Sequence, residues 1–144
     1  FINGLTGITA ETLKDAPPVE EVIQEFQEFV GALPMVGYNA AKSDLPILAE
    51  HGLDYSQQYK VDLYDEAFER RSSDLHGIAN LKLQTVASFL GFQGQSHNSL
   101  EDARMTARVY ESFLESDQAR ELLGAESSLS NNPFGGLDLS QLFD

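Results

Sequence analysis

The sequence calls for an α/β chain in which helix predominates. Two short runs alone carry the β-branched or alternating apolar character of strands. Several longer stretches repeat their apolar residues at helical spacing, and Gly and Pro mark the boundaries between segments. At 144 residues the chain has the length of one domain, enough to bury a real core but short for two.

Taken in order, Thr9 is placed to cap a short helix over residues 10–14, closed by Asp15-Ala16-Pro17-Pro18. A longer helix should run from about Pro18 to Val30, with Pro in the first turn and Glu20 and Glu21 at the positive end of the dipole. Val22, Ile23, Phe26, Phe29 and Val30 form its apolar stripe, so it packs on something. "LPMVGYN", Leu33 to Asn39, reads as a buried strand, and "YKVDLY", Tyr59 to Tyr64, as a second. Between them "AAKSDLPILAEHG" is helical and stops at Gly52, with Pro46 obscuring where it starts.

A helix near residues 65–71 follows, with Asp62 read as an ordinary strand-end residue. In "LKLQTVASFLG" a stripe of Leu83, Val86, Ala87 and Leu90 ends at Gly91. The longest helical pattern spans Ser99 to Ser116, and a short helix from Asp117 to Leu123 should stop at Gly124. From Ala125 the composition turns to Ser, Asn, Gly and Pro, which marks a linker or flexible tail. It closes on "LDLSQLFD", a small apolar and acidic cluster fit to dock on a partner or to cover the chain's own surface. One domain over residues 1–124 and a tail over 125–144 is the expected organisation.

The formal net charge of −14, from 23 acidic against 9 basic residues, argues against a long electrostatic track along nucleic acid, which needs Lys and Arg to neutralise phosphates. A site that grips one chain end through divalent cations stays compatible, because the ions supply the positive charge. Cysteine is absent, so disulfides and thiolate metal sites are excluded and a reducing compartment, the cytoplasm, is the expectation. No apolar run reaches the length of a membrane span, and the start does not read as a signal peptide. The chain opens on Phe1 rather than Met, straight into "FINGLTGIT", which suggests a start partway through a larger protein.

The stretch "SHNSLEDA", residues 96–103, holds one of three histidines, followed five residues later by an aspartate. One reading makes Ser99 a helix N-cap with Asp102 as its capping-box carboxylate and His97 an ordinary loop residue. The other makes His97 and Asp102 chemical partners. Five residues along a helix turn side chains about 140° apart, so the two converge only if His97 precedes the helix.

The order of five segments decides between them. "INGLTGIT", "DAPPVEEVIQEFQEFVG", "LPMVGYNAAKSDLPIL", "LKLQTVASFLGF" and "SHNSLEDARMTARVY" together resemble the DnaQ-like, DEDDh family of 3′-to-5′ exonucleases, the proofreading type found with bacterial replicative polymerases. The resemblance covers Ile2 to Leu114 and implies a ribonuclease H-like fold. The family's second motif, His-Asn-Ala-x-Phe-Asp, is matched by Tyr38-Asn39-Ala40-Ala41-Lys42-Ser43-Asp44, with one extra residue before the Ser-Asp pair. Its third motif, His with Asp five residues on, is matched by His97 and Asp102.

That resemblance implies a two-metal hydrolysis of single-stranded DNA or RNA 3′ ends, with two Mg²⁺ or Mn²⁺ ions bound by Asp44 and Asp102 and His97 as general base. Hard cations want carboxylate oxygens, which suits the two aspartates. Leu5, Thr6 and Gly7 match the loop that packs on the terminal nucleotide, and Asn39 lies beside the same cleft. It further implies a DNA polymerase subunit as partner, and no membrane. Structural readings stand beside these: Asp44 as a helix-start carboxylate, Leu5 and Ile8 as core residues, Asn39 as a cap.

One departure bears on all of this. The family's first motif, an Asp-x-Glu pair on the first strand, should lie upstream of "INGLTGIT" and is not in this sequence. The expectation is therefore an exonuclease domain lacking its N-terminal central strands, with the activity of the chain as it stands left open. The alternative is a noncatalytic module of the same fold that binds a polymerase or another protein.

Overall fold

The computed structural model describes residues 2–93 and 98–130, with side chains described over 4–93 and 98–124. The chain divides into two compact units, Phe1–Glu111 and Ser112–Asp144. Its elements run α1 (Ile2–Thr6), α2 (Val19–Val30), β1 (Met35–Gly37), α3 (Asp44–Glu50), β2 (Lys60–Asp62), α4 (Leu63–Glu69), a 3₁₀ turn (Arg70–Ser72), α5 (Leu83–Phe89) and α6 (Ser99–Ser130).

Both expected strands are present, shorter than their apolar runs. They pair in parallel, with Met35 opposite Lys60, Val36 opposite Val61 and Gly37 opposite Asp62. A parallel pair cannot be joined by a tight hairpin and needs a crossover, which the segment carrying α3 supplies. Mixed helix with a small parallel sheet is consistent with a ribonuclease H-like exonuclease domain.

The core of the first unit forms where helices turn one face inward. Ile23 of α2, Leu45 of α3, Leu63 and Ala67 of α4, Val86 and Ala87 of α5, and Met105 and Val109 of α6 are all buried. Arg70 is also buried, and its guanidinium is paired with Asp74 at 3.0 Å and Glu66 at 3.5 Å, as a buried cation requires.

Several expectations need correction. Residues 10–15 form hydrogen-bonded turns, not a helix, although Thr9 does bond reciprocally with Thr12 as a cap would. The α2 stripe is only partly covered: Ile23 is buried while Phe29 is 84 % exposed. Leu5 and Ile8, weighed as core residues, are exposed. Helix α4 starts at Leu63 and takes over the end of the second strand-like run.

Helix α6 passes through Gly124 and reaches Ser130, so the separate short helix over residues 117–123 does not form, and residues 125–130, expected in the tail, belong to the helix. An isolated glycine costs a helix only about 1 kcal/mol, too little to stop one by itself. Among the described residues, no helix is long and apolar enough to cross a membrane.

Candidate active site

A cleft of about 1070 Å³ opens in the first unit beside the strand pair. Met35, Val61, Leu45 and Leu48 give it an apolar floor, and four aspartates reach it from different elements: Asp44 on α3, Asp62 at the end of β2, Asp65 on α4 and Asp102 on α6. Asp44 and Asp102, far apart in sequence, thus line one cavity. Asp44 is exposed and Asp102 half-buried, so both carboxylates remain open to solvent.

The turn between β1 and α3 decides where Asp44 stands. Asn39 holds a left-handed backbone, φ 56°, which an asparagine tolerates better than most residues. The turn then closes through Lys42 N–H to Asn39 O at 3.2 Å and Leu45 N–H to Ala40 O at 2.9 Å. Asp62 grips it from the neighbouring strand. One carboxylate oxygen accepts the Asn39 amide at 2.6 Å and the Tyr64 amide at 3.1 Å, and the other accepts the Ala41 amide at 3.0 Å. Asp62 is therefore no ordinary strand-end residue: it caps α4 and binds a second loop at once. At the far end of the turn the Ser43 hydroxyl lies 2.9 Å from Asn39 O and 2.6 Å from the Asp44 Oδ2, so one proton serves two acceptors.

On the opposite wall, α6 begins at Ser99 with Asn98 as its cap. The Asn98 Oδ1 accepts the amides of Leu100 at 3.1 Å and Glu101 at 3.2 Å. Ser99 is thus the first helical residue and not the cap. With the cap at Asn98, the third helical position falls to Glu101, so Asp102 no longer stands where a capping-box carboxylate would. Thr106, buried one turn on, donates to the Asp102 carbonyl at 2.8 Å and steadies that turn.

Tyr38 also lines the cleft. Its hydroxyl donates to Leu81 O at 2.6 Å, and its ring meets Tyr64 edge-on, centroids 6.2 Å apart. Burial first, then the charges of Tyr64 and Asp62, push the phenol well above the ordinary tyrosine value of about 10. The folded chain therefore keeps a proton that the unfolded chain loses, and stability should fall as pH rises past about 10. Tyr38→Phe should cost about 0.5–1.5 kcal/mol at neutral pH for the lost hydrogen bond and should flatten that alkaline decline. Urea unfolding of both proteins at neutral and alkaline pH checks it; parallel declines would remove Tyr38 as the cause.

Of the residues singled out by sequence, Asp44 and Asp102 come together on the cleft. Asn39 is half-buried beside it and contributes its backbone amide to Asp62, while Leu5, Thr6 and Gly7 sit on exposed backbone around the end of α1 and do not line it. His97 lies outside the described residues. Among the described residues, no three carboxylates or histidines converge closely enough to clasp a metal by themselves. The donor chemistry nonetheless fits a hard cation: Mg²⁺ is commonly held by one or two carboxylates with water and substrate phosphate completing its shell, and Asp44 and Asp102 offer two solvent-facing carboxylates on one cavity. Sequence reasoning missed Asp62. Its signal was the pattern Asp62-Leu63-Tyr64-Asp65, an acidic cap with a second acid three residues on, obscured because Leu63 and Tyr64 look like strand.

Comparison with known proteins identifies the family of the chain. The exonuclease family model, RNase_T, matches residues 1–110. Over 116 residues the chain is 31 % identical to a DNA polymerase III PolC-type of Caldanaerobacter subterraneus, covering 80 % of this chain and 8 % of that protein. It is 30 % identical over 119 residues to the DNA polymerase III subunit epsilon of Aquifex aeolicus, covering 79 % and 56 %. A PolC-type of Streptococcus pneumoniae is 35 % identical over 125 residues, covering 79 % and 8 %. The chain thus spans about half the length of the epsilon subunit and under a tenth of the PolC-type proteins. No solved structure gives a significant match. With a family model covering most of its length and relatives of both DNA polymerase III types, the chain belongs to the RNase_T exonuclease family, the DnaQ-like group that the order of its segments resembles.

Proposed function

We propose that the chain is a 3′-to-5′ exonuclease domain that removes nucleotides from single-stranded DNA ends in the service of a DNA polymerase. The observation that carries this is the meeting of Asp44 and Asp102 on one cleft of an exonuclease-family chain. Both aspartates would hold divalent cations, Mg²⁺ or Mn²⁺. When bound, such ions polarise the terminal phosphodiester and lower the pKa of an attacking water.

The chain's own residues do the rest. A ring nitrogen of His97 takes the proton from the attacking water, the role its match to the third motif assigns. Leu5, Thr6 and Gly7 offer an exposed apolar and small surface to the terminal base and sugar, the role their match to the family's loop implies, and Asn39 fixes the turn beside the cleft. Because the strongly acidic chain repels a phosphate backbone, it acts on an end and does not track along a strand.

A second reading, a noncatalytic module that binds a polymerase or another protein, is favoured by the lack of a three-ligand cluster among the described residues. One assay separates them. A 5′-labelled single strand is incubated in Mn²⁺ with this chain, and with a fusion in which a relative's Asp-x-Glu strand precedes Ile2. Stepwise shortening in either form, stopped by a chelator, is the expected result. No shortening by either form, both folded, makes the binding module correct.

A further inference from the structure

We infer that Asp62 is a positioning residue for the proposed metal site, aiming the Asp44 carboxylate into the cleft through the turn that precedes α3. This rests on the reading of Asp44 as a metal ligand.

The argument starts from what the Asp62 carboxylate is bound to. Three backbone amides converge on it, two from the Asn39–Ala41 segment and one from the first turn of α4. A helix cap alone needs only the Tyr64 amide. The other two donors belong to residues on the far side of the crossover, so the carboxylate joins the ends of two strands that already face each other in register, Gly37 opposite Asp62. The 2.6 Å bond to the Asn39 amide is short for N–H···O and is charge-assisted, the stronger kind.

The consequence reaches Asp44 through a continuous path. The Asn39 amide is held by Asp62, and the Asn39 carbonyl faces the Ser43 hydroxyl. That same hydroxyl contacts the Asp44 Oδ2 at 2.6 Å. A second anchor runs through Ala40, whose carbonyl accepts the Leu45 amide one residue past Asp44. Ala40 itself is pinned between the two amides that Asp62 grips, those of Asn39 and Ala41. The turn therefore has little freedom to rotate Asp44 away from the cleft. Asp62 also lines the cleft, yet its two oxygens already accept three amides and are poorly placed to serve as free ligands. Partners that orient a ligating carboxylate commonly matter about 10–100-fold in metal affinity.

Asp62→Asn tests this with little change in shape, because the side-chain amide presents a donor to a backbone donor at one of the two oxygens. Mn²⁺ alone is titrated against the full chain, reading free Mn²⁺ by electron paramagnetic resonance, with far-UV circular dichroism as the fold control. Wild type, Asp44→Asn, Asp62→Asn and Ser43→Ala are compared. The expected result is Mn²⁺ binding by wild type, its loss in Asp44→Asn, and about tenfold weaker binding in Asp62→Asn at native helix content.

Equal affinity in wild type and folded Asp62→Asn overturns the inference and leaves the reading of Asp44 intact. Equal binding by wild type and Asp44→Asn, or none by wild type, overturns that reading and this inference with it. Should Asp62→Asn fail to fold, Ser43→Ala decides: it breaks the last link of the path while sparing the cap on α4, and unchanged affinity there overturns the proposed path.

Discussion

Replacing His97 with alanine should lower turnover by about 10²–10⁴-fold, the range in which a general base contributes, in whichever form of the chain shortens a labelled strand. Mn²⁺ affinity should stay unchanged, because the loss falls on proton transfer and not on the carboxylates that hold the ion. A fall in Mn²⁺ affinity equal to the fall in turnover would make His97 a ligand instead. Unchanged turnover would return "SHNSLEDA" to the status of a helix start.

What could be read from the sequence, and what could not, divides by the range of the interaction involved. Helix α2, both strands, α3, α5 and the start of α6 follow from local apolar spacing and from Pro and Gly signals, and all appear near their expected places. The cap at Asn98 was one residue off, since Asn and Ser are nearly equal as caps and both stand at the helix entrance. The continuity of α6 past Gly124 was not legible, because a glycine's local penalty is small beside whatever holds a long helix together. Asp62 was the largest omission. Its bonds to Asn39 and Ala41 cross the fold to residues more than twenty positions away, and no local pattern records them. Asp44 and Asp102 were found by motif order, and their sharing of one cleft is a property of the folded chain.

The same turn yields the last large effect. A Cβ placed on Gly37 would stand 2.5 Å from the Cβ of Ala40, a separation that real Cβ atoms do not tolerate. Neither atom sits at the end of a flexible side chain, so the contact can be relieved only by moving backbone. The backbone in question is the turn that Asp62 grips on either side of Ala40. Gly37→Ala should therefore destabilise the chain by about 1–3 kcal/mol, the cost of overpacking, read from urea unfolding. It should also weaken Mn²⁺ binding, because Asp44 rides on the displaced turn. Adding Ala40→Gly removes the opposing methyl and should restore most of both losses, less the smaller entropic cost of a second glycine. Two neighbouring substitutions that compensate in this way are coupled, and the coupling belongs to the close approach itself. If the double variant is no better than Gly37→Ala, the clash is not the cause, and the requirement for glycine must lie in the strand pairing of Gly37 with Asp62.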